Sequence, residues 1–224
     1  MIICIDQILT PEQLERIRNT LDGGEFQDGR STAGWHAKLV KNNEQLKVSG
    51  GQAEGLRAEV EKALTEHPLF QMSVRPAKVT PLIFSRYRDG MTYGNHVDDP
   101  VMGRGAGRLR TDVSFTLFLD DPDSYDGGEL VVQDAMGEQR IKLPAGDLVM
   151  YPGTRVHRVE PVTRGARLAC FFWVESMVRS EEHRRLLFDL DMNLLALRQR
   201  HGETPETTAL TGTYHNLLRL WANT

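Results

Sequence analysis

The stretch Thr111-Asp-Val-Ser-Phe-Thr-Leu-Phe-Leu119 decides how the chain is read. Val113, Phe115, Leu117 and Leu119 alternate with Asp112, Ser114, Thr116 and Phe118. A period of two puts the first set on one apolar face of an extended strand. Short segments around it, at 79–88, 129–134, 138–143, 146–151, 156–161 and 166–175, are likewise rich in Val, Phe, Leu and Ile. Turn chemistry separates them: Asp126-Gly127-Gly128, Met136-Gly137, Pro144-Ala145-Gly146 and Arg164-Gly165. Strands this closely spaced, with no helix between them, pair antiparallel. The expected fold is mainly β with flanking helices, on a sandwich or jelly-roll core.

Helical periodicity frames this core. Thr10-Pro11-Glu12-Gln13 reads as an N-cap with proline at the first helical position, and a helix to about Leu21 puts Leu14, Ile17 and Leu21 on one face. Residues 23–52, glycine-rich and polar, read as loop with short strand. A second helix is expected from about Gln52 to His67, with Leu56, Val60, Ala63 and Leu64 inward and Pro68 after it. From Ser180 the period is helical again, with Leu186, Leu187, Leu190, Leu194 and Leu197 as an apolar stripe. Gly202 closes that helix, and Thr204-Pro205 opens a last one. The expected division is a barrel domain at 1–178, N-terminal helices included, and a small helical C-terminal unit at 179–224.

The chain has 224 residues, 40% hydrophobic and 26% charged, with a net charge of −4 and both signs dispersed. Neither a basic block nor aromatics interleaved with one marks a nucleic-acid surface. Two lone thiols, Cys4 and Cys170, fit neither a disulfide scaffold nor a cysteine-rich zinc site. The N-terminus lacks a basic n-region, and the longest apolar run, Ala169 to Val174, is too short to span a bilayer. A soluble protein of the cytoplasm, with no membrane partner, is expected.

Two histidine–acid pairs occur, His96-x-Asp98 and His201-x-Glu203, about the frequency that chance allows for 7 histidines and 31 acids. His201 follows a helix and reads as a surface residue. His96 follows a strand-like run, so His96 and Asp98 can face one side. The competing reading of that pair alone is a loop histidine capped by its neighbour. His157 adds a second imidazole from a later strand, and Arg167 follows ten positions on, embedded among Ala166, Leu168, Ala169 and Cys170. Two imidazoles and a carboxylate hold one face of a ferrous ion and leave the rest open. Arg167 then forks onto the far carboxylate of a small diacid, or pairs with an acid at the rim. Phe115, Leu117, Leu148 and Phe172 are either walls around such a site or plain core.

The segment Tyr87-Arg-Asp-Gly-Met-Thr-Tyr93-Gly-Asn-His96-Val-Asp98 resembles the prolyl-hydroxylase signature. With Tyr125-Asp-Gly-Gly-Glu-Leu130, Leu143-Pro-Ala-Gly-Asp147, Tyr151-Pro152, His157 and Pro161-Val-Thr-Arg-Gly165, the chain resembles the bacterial PKHD-type hydroxylases. The likeness continues through Phe172-Trp-Val-Glu-Ser-Met-Val178, Leu187-Phe-Asp-Leu-Asp191 and Leu210-Thr-Gly-Thr-Tyr-His-Asn-Leu-Leu218. It implies a double-stranded β-helix and an iron(II)- and 2-oxoglutarate-dependent dioxygenase, an oxidoreductase that hydroxylates its substrate. It places the metal ligands on His96, Asp98 and His157, 2-oxoglutarate on Arg167, and a co-substrate contact on Tyr87. L-ascorbate as reductant, succinate and CO₂ as products and an association with iron uptake come with it.

Three other readings stand beside this one. A cupin-like metal barrel, isomerase or small-molecule binder, would have no use for Arg167. An adaptor would use the helical tail to bind partners and have no need of an intact triad. A nucleic-acid demethylase would want a basic groove. The substrate, small molecule or peptidyl side chain, is left open, as is a homo-oligomer built on the 181–199 helix. Arg104, Arg108 and Arg110 either greet an anion at the entrance or form a solvated face.

Overall fold

A computed structural model of the chain describes residues 1–47 and 51–223. The N-terminal part comprises β1 (Ile3–Ile5), α1 (Pro11–Asp22), β2 (Phe26–Asp28), β3 (Lys41–Asn42), β4 (Glu44–Leu46), α2 (Gly51–Glu66) and α3 (Pro68–Val74). The barrel continues with β5 (Pro76–Val79), β6 (Ile83–Arg88), β7 (Thr92–His96), β8 (Val101–Met102), β9 (Leu109–Arg110) and β10 (Val113–Phe118). Then follow β11 (Asp126–Gly127), β12 (Leu130–Asp134), β13 (Gly137–Ile141), β14 (Leu148–Pro152), β15 (His157–Val159), β16 (Val162–Arg164) and β17 (Ala166–Ser176). The chain ends in α4 (Glu181–His201) and α5 (Pro205–Trp221).

Two antiparallel sheets face each other. The major one runs β1-β14-β10-β17-β6-β4-β2, with β5 also on β17, and the minor one runs β13-β12-β15-β7-β3. This is the expected mainly β jelly roll with flanking helices. α1 begins where its cap dictates: the Gln13 amide donates to Thr10 Oγ1 (3.3 Å), and the Thr10 amide to Gln13 Oε1 (2.8 Å).

Strand β10 explains the layering. All six of its residues are buried, because it lies inside the major sheet with a layer on each side. Val113, Phe115 and Leu117 join Leu148, Met150, Cys170 and Phe172 in the core beneath α1, α2 and α3. The rings of Phe115 and Phe172 stack at 4.8 Å and 2°, with Phe70 of α3 against both. Each such ring is worth about 1.5–3 kcal/mol of burial. The other set, Ser114 and Thr116, faces the space between the sheets. The polar half of the alternation meets a cavity, not bulk water.

The structure refines the sequence reading in five places. The strand expected at 79–88 begins only at Ile83, as β6; β5 has already ended at Val79, and Pro81 between them has no amide to donate. The one at 156–161 is β15, which ends at Val159, ahead of Pro161. Pro68 starts a helix, α3, in the first-turn position where a proline fits. Within 23–47, as expected, short strands interrupt loop, and they number three, β2, β3 and β4. Leu186, assigned to the apolar stripe of α4, is 56% exposed, whereas Leu187 and Leu194 are buried.

The C-terminal helices are tied to the barrel through Arg75, buried at the end of α3, which donates to the Tyr214 hydroxyl at 2.9 Å and to Asp191 at 3.4 Å. We expect Phe172→Ala and Leu187→Ala to destabilise the fold by about 3–5 and 2–5 kcal/mol. Leu186→Ala should stay within about 0.5 kcal/mol. Urea unfolding at an unchanged m-value measures all three.

Candidate active site

Strands β7 and β15 are paired so that His157 and His96 are direct partners across the ladder, and their imidazoles lie side by side, 4.2 Å between centroids. Asp98 stands two residues past His96. One ligand atom from each of His96, Asp98 and His157 lies within 4.8 Å of the others, and His157 Nε2 is 3.7 Å from Asp98 Oδ1. The partners of the second ring nitrogens, illegible in the sequence, are local main-chain carbonyls. His96 Nδ1 is 2.8 Å from the Gly94 oxygen, and His157 Nδ1 is 3.0 Å from that of Arg155. Donation from Nδ1–H to those carbonyls leaves each Nε2 lone pair free for a cation. The Ser114 hydroxyl donates to Asp98, so the polar face of β10 steadies the carboxylate. Tyr93 stacks on His96 at 3.6 Å, and Tyr151 meets His157 edge-on at 4.9 Å. Burial, then the neighbouring His157, holds the His96 pKa well below the usual imidazole value. A ring neutral at neutral pH has no proton to lose before it binds a metal.

Arg167 lies on β17, in register with Tyr87 of β6. It is only 2% exposed, and its Nε and Nη2 have no hydrogen-bond partner. Among the described residues no acidic side chain pairs with it, so the rim ion pair is not what the structure contains. Its guanidinium rests instead against the rings of Tyr87 and Phe118, at 5.4 and 5.2 Å. Gly128, at φ +69°, makes this possible: a Cβ there would sit 3.0 Å from both Arg167 Cδ and Tyr125 Cε2. The Tyr125 hydroxyl is buried and unpartnered as well. A buried cation with no counter-ion is several kcal/mol out of balance. A carboxylate entering the cavity restores that balance and fits the guanidinium fork. The donor set of two imidazoles and one carboxylate likewise fits ferrous iron.

The cavity that holds these groups is walled by Tyr87, Tyr93, Tyr151, Phe171 and Trp173. Of the four wall candidates, Phe115 alone reaches its lining, and all four belong to the core under the helices. An aromatic on a strand reads the same in either setting, so the sequence carried no signal to separate them. Tyr87 is buried beside Arg167, and burial raises the pKa of its phenol.

The segment 41–46, which holds β3 and β4, supplies residues that the sequence reading missed. Lys41, Asn43 and Gln45 are all buried, while Asn42 is exposed and Glu44 half-buried. The period of two was there to be seen, but with polar side chains inward. Burial pulls the Lys41 pKa down to about 8, against the opposing fields of Asp98 and Asp28. Arg110 is held by Asp112 at 2.6 and 2.8 Å, whereas Arg104 and Arg108 are exposed. Glu203 bonds to Arg198 at 2.8 Å and His201 is exposed, so that second pair is a surface feature.

With this geometry in hand, the chain can be set beside known proteins. Residues 82–175 match the model of the 2OG-Fe(II) oxygenase superfamily, and residues 181–223 match that of the PKHD-type hydroxylase C-terminal domain. A PKHD-type hydroxylase of Verminephrobacter eiseniae is 51% identical over 227 residues, covering 100% of both chains. A prolyl-4-hydroxylase structure from Pseudomonas putida superposes with a TM-score of 0.51 at 21% identity, over 78% of this chain and 92% of that one. A Trichoplax adhaerens prolyl hydroxylase, in complex with a hypoxia inducible factor peptide fragment, does so at 0.56 and 14%, over 83% and 86%. At such identities the two structures speak for the fold.

The depressed His96 pKa has a thermodynamic consequence. Below the ordinary imidazole value of 6.5 the unfolded chain takes up a proton that folded His96 resists. The stability this residue contributes is therefore complete above pH 6.5 and is lost as the pH falls below it. We expect His96→Gln to flatten that limb in metal-free protein, as read from urea midpoints across pH.

Proposed function

The chain belongs to the PKHD-type hydroxylases of the 2OG-Fe(II) oxygenase superfamily, and on that premise we propose that it couples oxidative decarboxylation of 2-oxoglutarate to hydroxylation of a substrate C–H bond. The balance is R–H plus O₂ plus 2-oxoglutarate giving R–OH, succinate and CO₂. The observation that carries this reading is Arg167, a buried and unpaired cation on the wall of the cavity that holds His96, Asp98 and His157.

His96, Asp98 and His157 are the metal ligands in this reading, and Arg167 receives the far carboxylate of 2-oxoglutarate. Iron(II), with the keto acid bound, supplies dioxygen activation. The chain's own residues do the rest. The Gly94 and Arg155 carbonyls fix both imidazole tautomers, and Ser114 orients Asp98. Tyr87 lies beside Arg167, where its hydroxyl assists the co-substrate. The aromatic wall keeps water from the reacting centre. L-Ascorbate would be the reductant that the family resemblance implies.

The domain division at 1–178 and 179–224 belongs to the same proposal, supported by the separate family matches on either side of residues 176–180. A small-molecule or peptidyl substrate and a role in iron uptake follow the family resemblance. A cytoplasmic setting is in keeping with two free cysteines. Among the described residues no helix is long and apolar enough to cross a membrane. A cupin-like barrel would leave Arg167 without purpose.

Purified protein with iron(II), ascorbate and air should convert 2-oxoglutarate to succinate slowly, even without substrate. His157→Ala should abolish it, and Arg167→Ala should raise the 2-oxoglutarate concentration required by at least about tenfold. Full succinate formation by His157→Ala would contradict the ligand assignment.

A further inference from the structure

A second cation is buried near this site, and nothing described so far employs it. Lys41 is 5% exposed. Among the described residues no carboxylate pairs with its ammonium, whose one hydrogen bond goes to the Thr32 hydroxyl at 3.3 Å. The ammonium lies 5.1 Å from the centroid of Tyr93 and 5.5 Å from that of Phe171, and both rings line the cavity. Tyr93 is stacked on His96, so one aromatic ring separates the lysine from the triad.

The backbone explains how it comes to be there. β3 pairs with β7 of the minor sheet, Lys41 opposite Tyr93, while β4 pairs with β6 of the major sheet, Gln45 opposite Ser85. Residues 41–46 thus bridge the two sheets on one side of the barrel. The inward row of Lys41, Asn43 and Gln45 is polar, and Asn43 Nδ2 and Oδ1 and Gln45 Nε2 have no partner. Burying such a group unmet is unfavourable. A strand serving only stability would carry valines here.

We propose that Lys41 anchors a carboxylate of the primary substrate, making this an oxygenase for acids in which the anion lies a few bonds from the oxidised carbon. The inference rests on the 2-oxoglutarate oxygenase reading. There Asp98 is committed to the metal and Arg167 to the diacid, which leaves Lys41, among the described residues, as the buried cation beside the cavity that can select a substrate. Asn43 and Gln45 supply polar contacts beside it, and Tyr93 and Phe171 flank the substrate's apolar part.

The test uses whole protein, anaerobic, loaded with iron(II) and saturating 2-oxoglutarate, each sample first shown to form the visible charge-transfer band of the chelate. Two matched pairs of probes are titrated: benzoate against benzamide, and acetate against acetamide. We expect at least one acid to bind the parent about tenfold more tightly than its amide. Lys41→Met should bring that ratio close to one and Lys41→Arg should keep most of it, a pattern that a merely structural lysine does not produce. Equal binding of acid and amide by the parent, no binding of either, or an unchanged ratio in Lys41→Met would overturn the proposal. So would a Lys41→Met protein that forms no band, which would assign the lysine to the co-substrate. A parent that forms no band would count against the oxygenase reading instead.

Discussion

A guanidinium held inside a barrel and, among the described residues, paired with no carboxylate is several kcal/mol out of balance, and the surroundings of Arg167 are built to hold it there. Gly128 takes a left-handed turn conformation at the one place where a Cβ would strike the arginine's stem and the Tyr125 ring. Tyr87 and Phe118 offer ring faces to the cation, which soften the desolvation but leave its fork open. Register does the rest, because β17 sets Arg167 beside Tyr87 and continues along the cavity wall with Ala169, Phe171 and Trp173. A site of this kind is poised for an anion that the chain does not itself supply.

The candidate metal-binding face follows from the same two-residue period. His96 and His157 are partners across neighbouring strands, so their imidazoles meet without help from any loop. Main-chain carbonyls two residues upstream of each histidine set the tautomers. Ser114 reaches Asp98 from the opposite sheet. The two sheets therefore each contribute to one small volume, and the helices beneath the major sheet need only bury its far face.

Much of this was legible in the chain. Alternation in 111–119 and turn residues at 126–128 and 164–165 announced antiparallel strands, and the spacing of His96, Asp98, His157 and Arg167 announced the candidate site. What escaped had physical reasons. Residues 41–46, with β3 and β4, bury Lys41, Asn43 and Gln45, inverting the apolar-in rule that makes a strand visible, and their partners on β7 and β6 lie some 40 residues or more away. Pro68 follows α2 as expected, but that it also opens α3 was not read, since proline suits either place. Leu186 and Leu187 adjoin on a helix, and only packing decides which of them faces inward.

The most direct test of the account is the thermal stability of Arg167→Met, with and without 2-oxoglutarate, in anaerobic iron(II). If the arginine is an unpaired cation awaiting a diacid, the variant without 2-oxoglutarate will be as stable as the parent or more so, since a buried unpaired charge has been replaced by an apolar chain. The stabilisation that 2-oxoglutarate confers on the parent will be absent from it. A variant destabilised by several kcal/mol, yet still stabilised by 2-oxoglutarate as the parent is, would show that Arg167 holds the fold together and does not bind the co-substrate.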